Sequence, residues 1–528
     1  MALLLGGCNG NGVSSAPYVP PCPSFPCEAP TARKLQTPDD AEFEKRKKEF
    51  ENSPEYRPQY RAFVLRDDRH KEQIKASAAY ARGATGKGEV VGVNDIYFRP
   101  DHREFDVLDE NGVRIGSKAA AEAQMRPNTL FDDHGTNMAS LIAANRDGAD
   151  IERNMHGIAF DAKLAFHQHS FVSQHPAFPP NRPFNPDAYT EEHDKELVAQ
   201  QFNLDYARNA GAGIVNHSFG LGDYIDMFPE EQIREKFKHT AAALEQKGVP
   251  PADKIIIVWS AGNEATSCYI KAGQGCVIPV NPTSPEIWAG LGVYFPELRG
   301  HVLAVVAVGQ NGLLRDSSNP CGSAKVFCLA APAQNLTVAD IDSRADYNNF
   351  PSGTSGAAAL VSGSLALLRQ YFRDDNGARQ LGSTELTARL LATANNRGRY
   401  SDSDKYGHGL LDLDAATRPH GALATSLSTD PNARPFNPAA FSLSGNAFGG
   451  AMRDALGDVK IAAFDELDAP FFFPLADGVS HAPQISAGHS DTLHEHEVAL
   501  GDAANASLAL SLAAGELSAA RIRRGNLW

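Results

Sequence analysis

The feature that most constrains the fold of this chain is a series of short segments that are apolar along most of their length. Val90-Val91-Gly92-Val93, Ile255-Ile256-Ile257-Val258 and Val302–Val308 are the clearest. A strand with one wet face alternates apolar and polar residues, whereas strands buried on both faces do not. Strands are predicted at Glu89–Asn94, Lys163–Phe166, Gly213–Asn216, Lys254–Trp259 and Val302–Val308. Between and after them, helices are predicted at His134–Asn145, Leu197–Asn209, Glu230–Lys247, Ser355–Tyr371 and Thr384–Thr393. Strands of this kind separated by helices imply an α/β fold: a doubly wound, mostly parallel sheet with helices on both faces. Extended N- and C-terminal segments flank it.

The change of character along the sequence gives four regions. Residues 1–32 are rich in Gly, Pro, Ser and Asn and read as a tether. Residues 33–74 form a charged extension in which 38–52 reads as a solvated helix. Residues 75–418 carry the strand–helix alternation, beginning with a helix at Ala76–Arg82. Residues 419–528 are rich in Pro and Ala and read as linker or stalk, although Phe471-Phe472-Phe473 is costly to leave in water.

Charge narrows the partners. The formal net charge is −15, which argues against nucleic acid. No basic stripe with interleaved aromatics occurs, and no apolar run reaches the roughly 18 residues that would span a bilayer. Six of the seven cysteines form close couples: Cys22 with Cys27, Cys268 with Cys276, and Cys321 with Cys328. Such couples suit disulfides in an oxidising compartment; scattered free thiols are the alternative. The seventh, Cys8, ends Leu5-Gly6-Gly7-Cys8, which resembles a bacterial lipobox and makes Cys8 a candidate for lipidation and outer-membrane anchoring. Only seven residues precede it and none is basic, so either the true start lies upstream or the likeness is chance.

Three segments carry chemistry. Val90-Val91-Gly92-Val93-Asn94-Asp95 runs an apolar strand into a carboxylate. Asp133-His134-Gly135-Thr136 opens a helix, and Ser352-Gly353-Thr354-Ser355 opens another. A serine hydroxyl is a weak nucleophile at neutral pH; it needs an adjacent base, and the base needs an orienting carboxylate. A serine at a helix N-terminus also has unpaired backbone N–H groups beside it. Ser260-Ala261-Gly262-Asn263-Glu264 follows a strand directly, and Asn263 supplies a side-chain donor for a developing oxyanion.

The order Asp, His, Ser is that of subtilisin, and the chain resembles the subtilases, the subtilisin-like serine peptidases. The resemblance covers residues 75–418. It rests on His134-Gly135-Thr136-Asn137-Met138-Ala139, Gly353-Thr354-Ser355 with Ala357-Ala358, Ser260-Ala261-Gly262-Asn263, Asn216-His217-Ser218-Phe219-Gly220 and Tyr406-Gly407-His408-Gly409-Leu410-Leu411-Asp412. It implies a secreted or surface-anchored serine endopeptidase acting on peptide or protein substrates, with Asp95, His134, Ser355 and Asn263 as catalytic residues. It implies that substrate pairs as an added strand on Ser218, Phe219 and Gly220. No cofactor is required for such chemistry; structural calcium is common in the family, but no spacing pattern places its ligands.

Within the family the likeness is to the subtilase passengers of bacterial autotransporters, on Ile74–Gly88 and on the tail around Phe441–Asp465. Residues 421–528 show no run of alternating strands of the kind a membrane barrel needs. The chain is thus either a passenger fragment or a barrel-free lipoprotein relative. Two departures stand out: Asp95 is followed by Ile96-Tyr97 where the family has Ser/Thr-Gly, and Gly356 and Ala359 replace a bulky residue and a proline. These departures leave a second reading open, a subtilase-shaped surface binding module with weak or no catalysis.

Overall fold

The computed structural model describes residues 2–3, 42–56, 70–96, 98–108, 114–118, 134–146, 155–168, 184–270, 276–340, 347–374, 377–427, 430, 434–437, 443–444, 459–474, 479–480, 497–503, 506–511 and 520–524. Cys8, Cys22 and Cys27 lie outside them. The chain divides into two compact units. One comprises Ala41–Tyr371 and Leu381–Arg418; the other takes in Phe372–Gln380 and Pro419–Trp528 together with the N-terminal residues.

The first unit is built on six strands: β1 (Val90–Asp95), β2 (Lys163–Gln168), β3 (Ile214–His217), β4 (Ile256–Ser260), β5 (Val302–Val308) and β6 (Cys328–Pro332). Their order is β6-β5-β4-β3-β1-β2 and every pairing is parallel. The order reverses next to β1, the topological position at which open α/β sheets place their ligands. All seven residues of β5 and all five of β4 are buried, which explains their uninterrupted apolar sequence. On one face, Val215, Ile257, Trp259, Ala304 and Val306 join a core with Phe202, Phe237, Leu244 and Trp288. Each buried Val, Ile, Leu or Phe among them contributes roughly 1.5–3 kcal/mol by leaving water.

Four helices complete the frame: α1 (Phe43–Glu51), α2 (Ala76–Ala81), α3 (His134–Ala143) and α4 (Thr354–Tyr371). α4 is buried along its whole length, runs across β3, β4, β5 and β6, and packs against α3. The hairpin β7 (Gln334–Ala339) with β8 (Tyr347–Ser352) feeds directly into α4. The buried ion pair Arg369–Glu89, at 2.8 Å, ties the far end of α4 to the start of β1.

Three expectations for the first unit need correction. The charged helix α1 is not wholly solvated: Phe43 is buried against Ala78 and Ala81 of α2, and the Arg46 Nε donates to the Ala81 carbonyl at 2.9 Å. The segment expected as one helix over Leu197–Asn209 begins earlier, at Glu191 behind the Thr190 cap. It passes through a π turn at Val198–Phe202 and restarts at Asp205, whose N–H is taken by the Asn203 side chain. Glu230–Lys247 is two helices, Glu230–Lys236 and Lys238–Glu245, broken at Phe237.

The second unit is not simply linker. Lys460–Phe464 and Pro470–Pro474 form an antiparallel hairpin, and Leu423–Ala424 pairs with Pro435–Phe436 and with Phe464. Asp465 closes the hairpin turn by accepting the N–H groups of Leu467 and Ala469, both at 3.0 Å. Phe471, Phe472 and Phe473 are buried, and Phe471 meets Phe372 edge-on at 6.1 Å. Further strands, Glu497–Ala503, Ala506–Ser511 and Ala520–Arg524, pair antiparallel. The first two are rich in Ala and Leu and give little β signal, because β propensity reflects branched and aromatic packing.

Candidate active site

Asp95 is the last residue of β1 and is buried, beside the topological switch point. His134 is the first residue of α3. The two side chains meet, His134 Nδ1 to Asp95 Oδ1 at 2.8 Å. The same oxygen accepts the Ile96 N–H at 2.7 Å, so the carboxylate is fixed by its own chain before it fixes the imidazole. An acceptor on Nδ1 selects the tautomer with the proton there and leaves Nε2 as the basic nitrogen. The His134 ring lies edge-on to Phe350 of β8, centroids 6.1 Å apart.

Ser355 is the second residue of α4 and is buried. Its hydroxyl donates to the Ser218 carbonyl at 3.2 Å. The reciprocal contact, Ser218 Oγ to the Ser355 carbonyl, is 3.1 Å. Behind it runs a chain of hydrogen bonds: Asn216 Nδ2 to Ser218 Oγ at 2.8 Å, and Ser362 Oγ to Asn216 Oδ1 at 3.1 Å. The end of β3 is thereby tied to the first turn of α4 and to the turn two helical turns along.

Asn263 sits just past β4, exposed. Its Oδ1 accepts the Thr354 N–H at 2.9 Å and the Thr354 hydroxyl at 3.3 Å, while that hydroxyl also accepts the Gly262 N–H at 3.1 Å. A backbone N–H is only a donor, so the atom facing it must be the amide oxygen. The Asn263 Nδ2 group is thus left available as a donor. Gly262 has φ +103°, and a Cβ there would fall 2.3 Å from Glu264 Oε2; only glycine fits.

Ser218–Gly220 continues beyond the end of β3 and forms no ladder among the described residues. Phe219 gives its carbonyl to the Trp259 indole N–H at 2.7 Å. Gly220 is exposed, and a Cβ on it would meet the Glu286 carboxyl group at 2.8 Å.

Two further carboxyl groups flank this region: Glu264, the last residue of the Ser260–Glu264 segment, and Glu286, which no sequence motif marks. Glu286 is fully buried and caps Ile287–Gly290, accepting the Ala289, Trp288 and Leu221 N–H groups at 2.5, 3.1 and 3.2 Å. Burial pushes its carboxyl up to about 8 in spite of those donors, and the neighbouring Glu264 pushes it further. Burial likewise raises Glu264 to about 7, against the lowering effect of its hydrogen bonds. Glutamate is a poor helix cap by statistics, so Pro285-Glu286 gave no signal.

The two departures near Ser355 have a structural setting. A Cβ on Gly356 would lie 2.9 Å from Leu336 and 3.2 Å from Phe350, so side chains of the β7–β8 hairpin fill the space beside the serine. With Ala359 in place of proline, α4 runs unbroken for 18 residues.

Cys321 and Cys328 form a disulfide at the edge of β6. Cys268 and Cys276 lie on strands that pair antiparallel; their side chains fall outside the described residues. Among the described residues, no three or more His, Cys, Asp or Glu are grouped to hold a metal, and no helix is long and apolar enough to cross a membrane.

Residues 86–409, more than half of the chain, match the subtilase family. The chain is 28% identical over 374 residues to an extracellular serine protease of Serratia marcescens, covering 65% of this chain and 33% of that protein. It is 31% identical over 395 residues to serotype-specific antigen 1 of Mannheimia haemolytica, covering 65% and 40% respectively. It is 25% identical over 404 residues to the neisserial autotransporter lipoprotein NalP of Neisseria meningitidis serogroup B, covering 66% and 34%. The chain therefore spans about a third of the length of these relatives. A crystal structure of MycP1 from Mycobacterium smegmatis aligns at TM-score 0.45 and 22% identity, covering 72% of this chain and 91% of that one. With the family match over residues 86–409, more than half of its length, the chain belongs to the subtilase family.

Proposed function

We propose that the chain is an exported serine endopeptidase that cuts peptide bonds through an acyl-enzyme. The observation that carries the reading is the junction of Asn263 and Thr354, which sets an amide donor beside the residue preceding Ser355. The Asp95–His134 hydrogen bond supplies the base. In this mechanism Ser355 Oγ attacks the scissile carbonyl carbon and His134 Nε2 takes its proton. Asp95 holds the imidazole and stabilises the imidazolium. Asn263 Nδ2 and the Ser355 N–H, unpaired in the first turn of α4, receive the oxyanion. His134 then protonates the leaving amine, and water repeats the sequence to release the acid.

The hydroxyl's contact with the Ser218 carbonyl is a resting position; a bound substrate redirects it to His134. Substrate lies extended on Ser218–Gly220, where main-chain pairing gives affinity with little demand on sequence. The chemistry uses only side chains and backbone, and a structural calcium would be additional to it. Export is supported by the Cys321–Cys328 disulfide and by the extracellular relative from Serratia. A lipid anchor at Cys8 and an autotransporter route belong to the same proposal.

The competing reading, a surface binding module without catalysis, rests on Ile96, Gly356 and Ala359. A fluorophosphonate probe separates the two. The endopeptidase reading expects labelling of the wild-type chain, none of Ser355→Ala, and casein degradation by the first alone. A folded wild-type chain that takes up no probe and leaves casein intact establishes the binding module.

A further inference from the structure

Asn319 is wholly buried, although its sequence setting, Ser317-Ser318-Asn319-Pro320, reads as an ordinary turn. Two of its polar groups act on the two peptide units that flank Asn263, and a third acts on the Glu264 side chain. Its backbone N–H donates to the Gly262 carbonyl at 3.0 Å. Its Oδ1 accepts the Glu264 N–H at 3.0 Å, and its Nδ2 donates to Glu264 Oε2 at 2.7 Å. One residue thus grips the chain immediately before and immediately after Asn263. It also packs against the turn itself: a Cβ on Gly262 would come within 2.6 Å of the Asn319 amide nitrogen.

The grip has its own support. Ser318 Oγ donates to the Asn319 carbonyl at 2.9 Å and accepts the Ala307 N–H of β5 at 3.1 Å, and Ala265 N–H donates to the Ser317 carbonyl at 3.2 Å. The Asn319 segment is therefore anchored to β5. Asn263 is held at its side-chain end by Thr354 and at its backbone by Asn319. A donor tethered only at its tip can pivot; one tethered at both ends has a fixed position, which is the condition for stabilising charge that exists only in the transition state.

We infer that Asn319 is a positioning residue of the oxyanion hole, fixing the Asn263 amide through the Gly262 and Glu264 peptide units without touching substrate. The inference rests on Asn263 being the oxyanion donor. Replacement of Asn319 by alanine removes the side-chain part of the grip and leaves Asn263 chemically intact. Turnover then falls by about 10- to 100-fold, less than loss of the donor itself, while KM stays within about twofold.

A double-mutant cycle on the full chain tests it, with kcat and KM measured on a peptide p-nitroanilide for wild type, Asn263→Ala, Asn319→Ala and the double variant. The expected result is strong non-additivity: Asn319→Ala lowers kcat in the wild-type background and adds little once Asn263 is gone. Equal losses in both backgrounds, a loss confined to KM, or no loss at all overturns the inference while leaving the oxyanion assignment standing. An Asn263→Ala variant with unchanged kcat overturns the assignment and the inference together. If Asn319→Ala does not fold by circular dichroism, Asn319→Ser carries the same cycle, with one hydroxyl left to meet the Glu264 N–H.

Discussion

The two halves of the proposed site are built differently. The proposed acid–base half centres on a charge-assisted hydrogen bond, His134 Nδ1 to Asp95 Oδ1, backed by the Ile96 N–H on the same oxygen. Asp95 Oδ2 is buried and makes no hydrogen bond among the described residues. The oxyanion half is a web: Asn263, Thr354, Gly262, Glu264 and Asn319 share hydrogen bonds drawn from three separate stretches of chain. A half whose chemistry runs through one pair of unique groups fails completely when either group is lost. A half whose geometry is distributed degrades by steps.

The largest effects therefore belong to the first half. His134→Ala lowers kcat on the order of a million-fold, as does Ser355→Ala, because neither group has a substitute. Asp95→Asn costs roughly ten-thousand-fold, since an amide at this position favours the wrong imidazole tautomer. Single-turnover assays on a peptide ester, with contaminating protease excluded by inhibitor titration, measure both. A His134→Ala loss no larger than that of Asn263→Ala would break the contrast between the halves.

In the second half, Asn263→Ala lowers kcat by about 100- to 1000-fold and barely moves KM. The residual activity comes from the Ser355 N–H, which the substitution leaves in place. A matching rise in KM would mean that Asn263 binds ground-state substrate instead.

What the sequence discloses follows the same division. Asp95, His134, Ser355 and Asn263, the proposed catalytic residues, could be nominated from the sequence because the chemistry restricts the residue type and each stands at an element boundary. The partners that hold them are legible only in part. Asn319 precedes a proline and carries the signature of any turn, and Glu286 follows one and reads as surface. Asn319 acts on Gly262 and Glu264, and Glu286 on Leu221 besides its own helix, and no local pattern encodes contacts between residues so distant in sequence.

The fold shows a parallel limit. The apolar strands β4 and β5 are evident, whereas the break at Phe237 is not. Ile233, Phe237, Ala241 and Leu244 keep helical spacing and stay buried on one side across the interruption. Phe237 breaks the helix to pack between Phe184 and Tyr189, with centroids 5.6 and 5.1 Å away. Asn203, by contrast, carried a readable signal, a capping side chain ahead of Asp205, inside a segment whose periodicity suggested continuity.

Stability should also depend on pH through Glu286, whose carboxyl lies beside Gly220. Burial raises Glu286 to about 8, above the value of about 4.3 for a free glutamate. The folded state binds its proton more tightly than the unfolded chain, so this group's contribution is full below about pH 4 and is lost as pH rises through about 8. The wild-type melting temperature therefore falls relative to Glu286→Gln between about pH 5 and pH 9. Calorimetry of both proteins gives the difference; parallel curves would show that Glu286 does not take up a proton on folding.

The smallest effect tests whether the oxyanion web depends on the nearby disulfide. Cys321 lies two residues after Asn319, and its bridge to Cys328 closes a loop with a sequence separation of 7. Closure of so short a loop is worth about 2 kcal/mol. The segment has other anchors: Cys328 is in register with Ala304 of β5, and its carbonyl accepts the His408 N–H at 2.9 Å. The Asn319 contacts run through β5 and Glu264 and do not cross the bridge. Cys321→Ser with Cys328→Ser should therefore lower the melting temperature by a few degrees. It should change kcat by no more than about threefold, under about 0.7 kcal/mol of barrier. A tenfold fall in kcat with KM unchanged would make the disulfide part of the oxyanion half, and the web would then be held as much by covalent closure as by its hydrogen bonds.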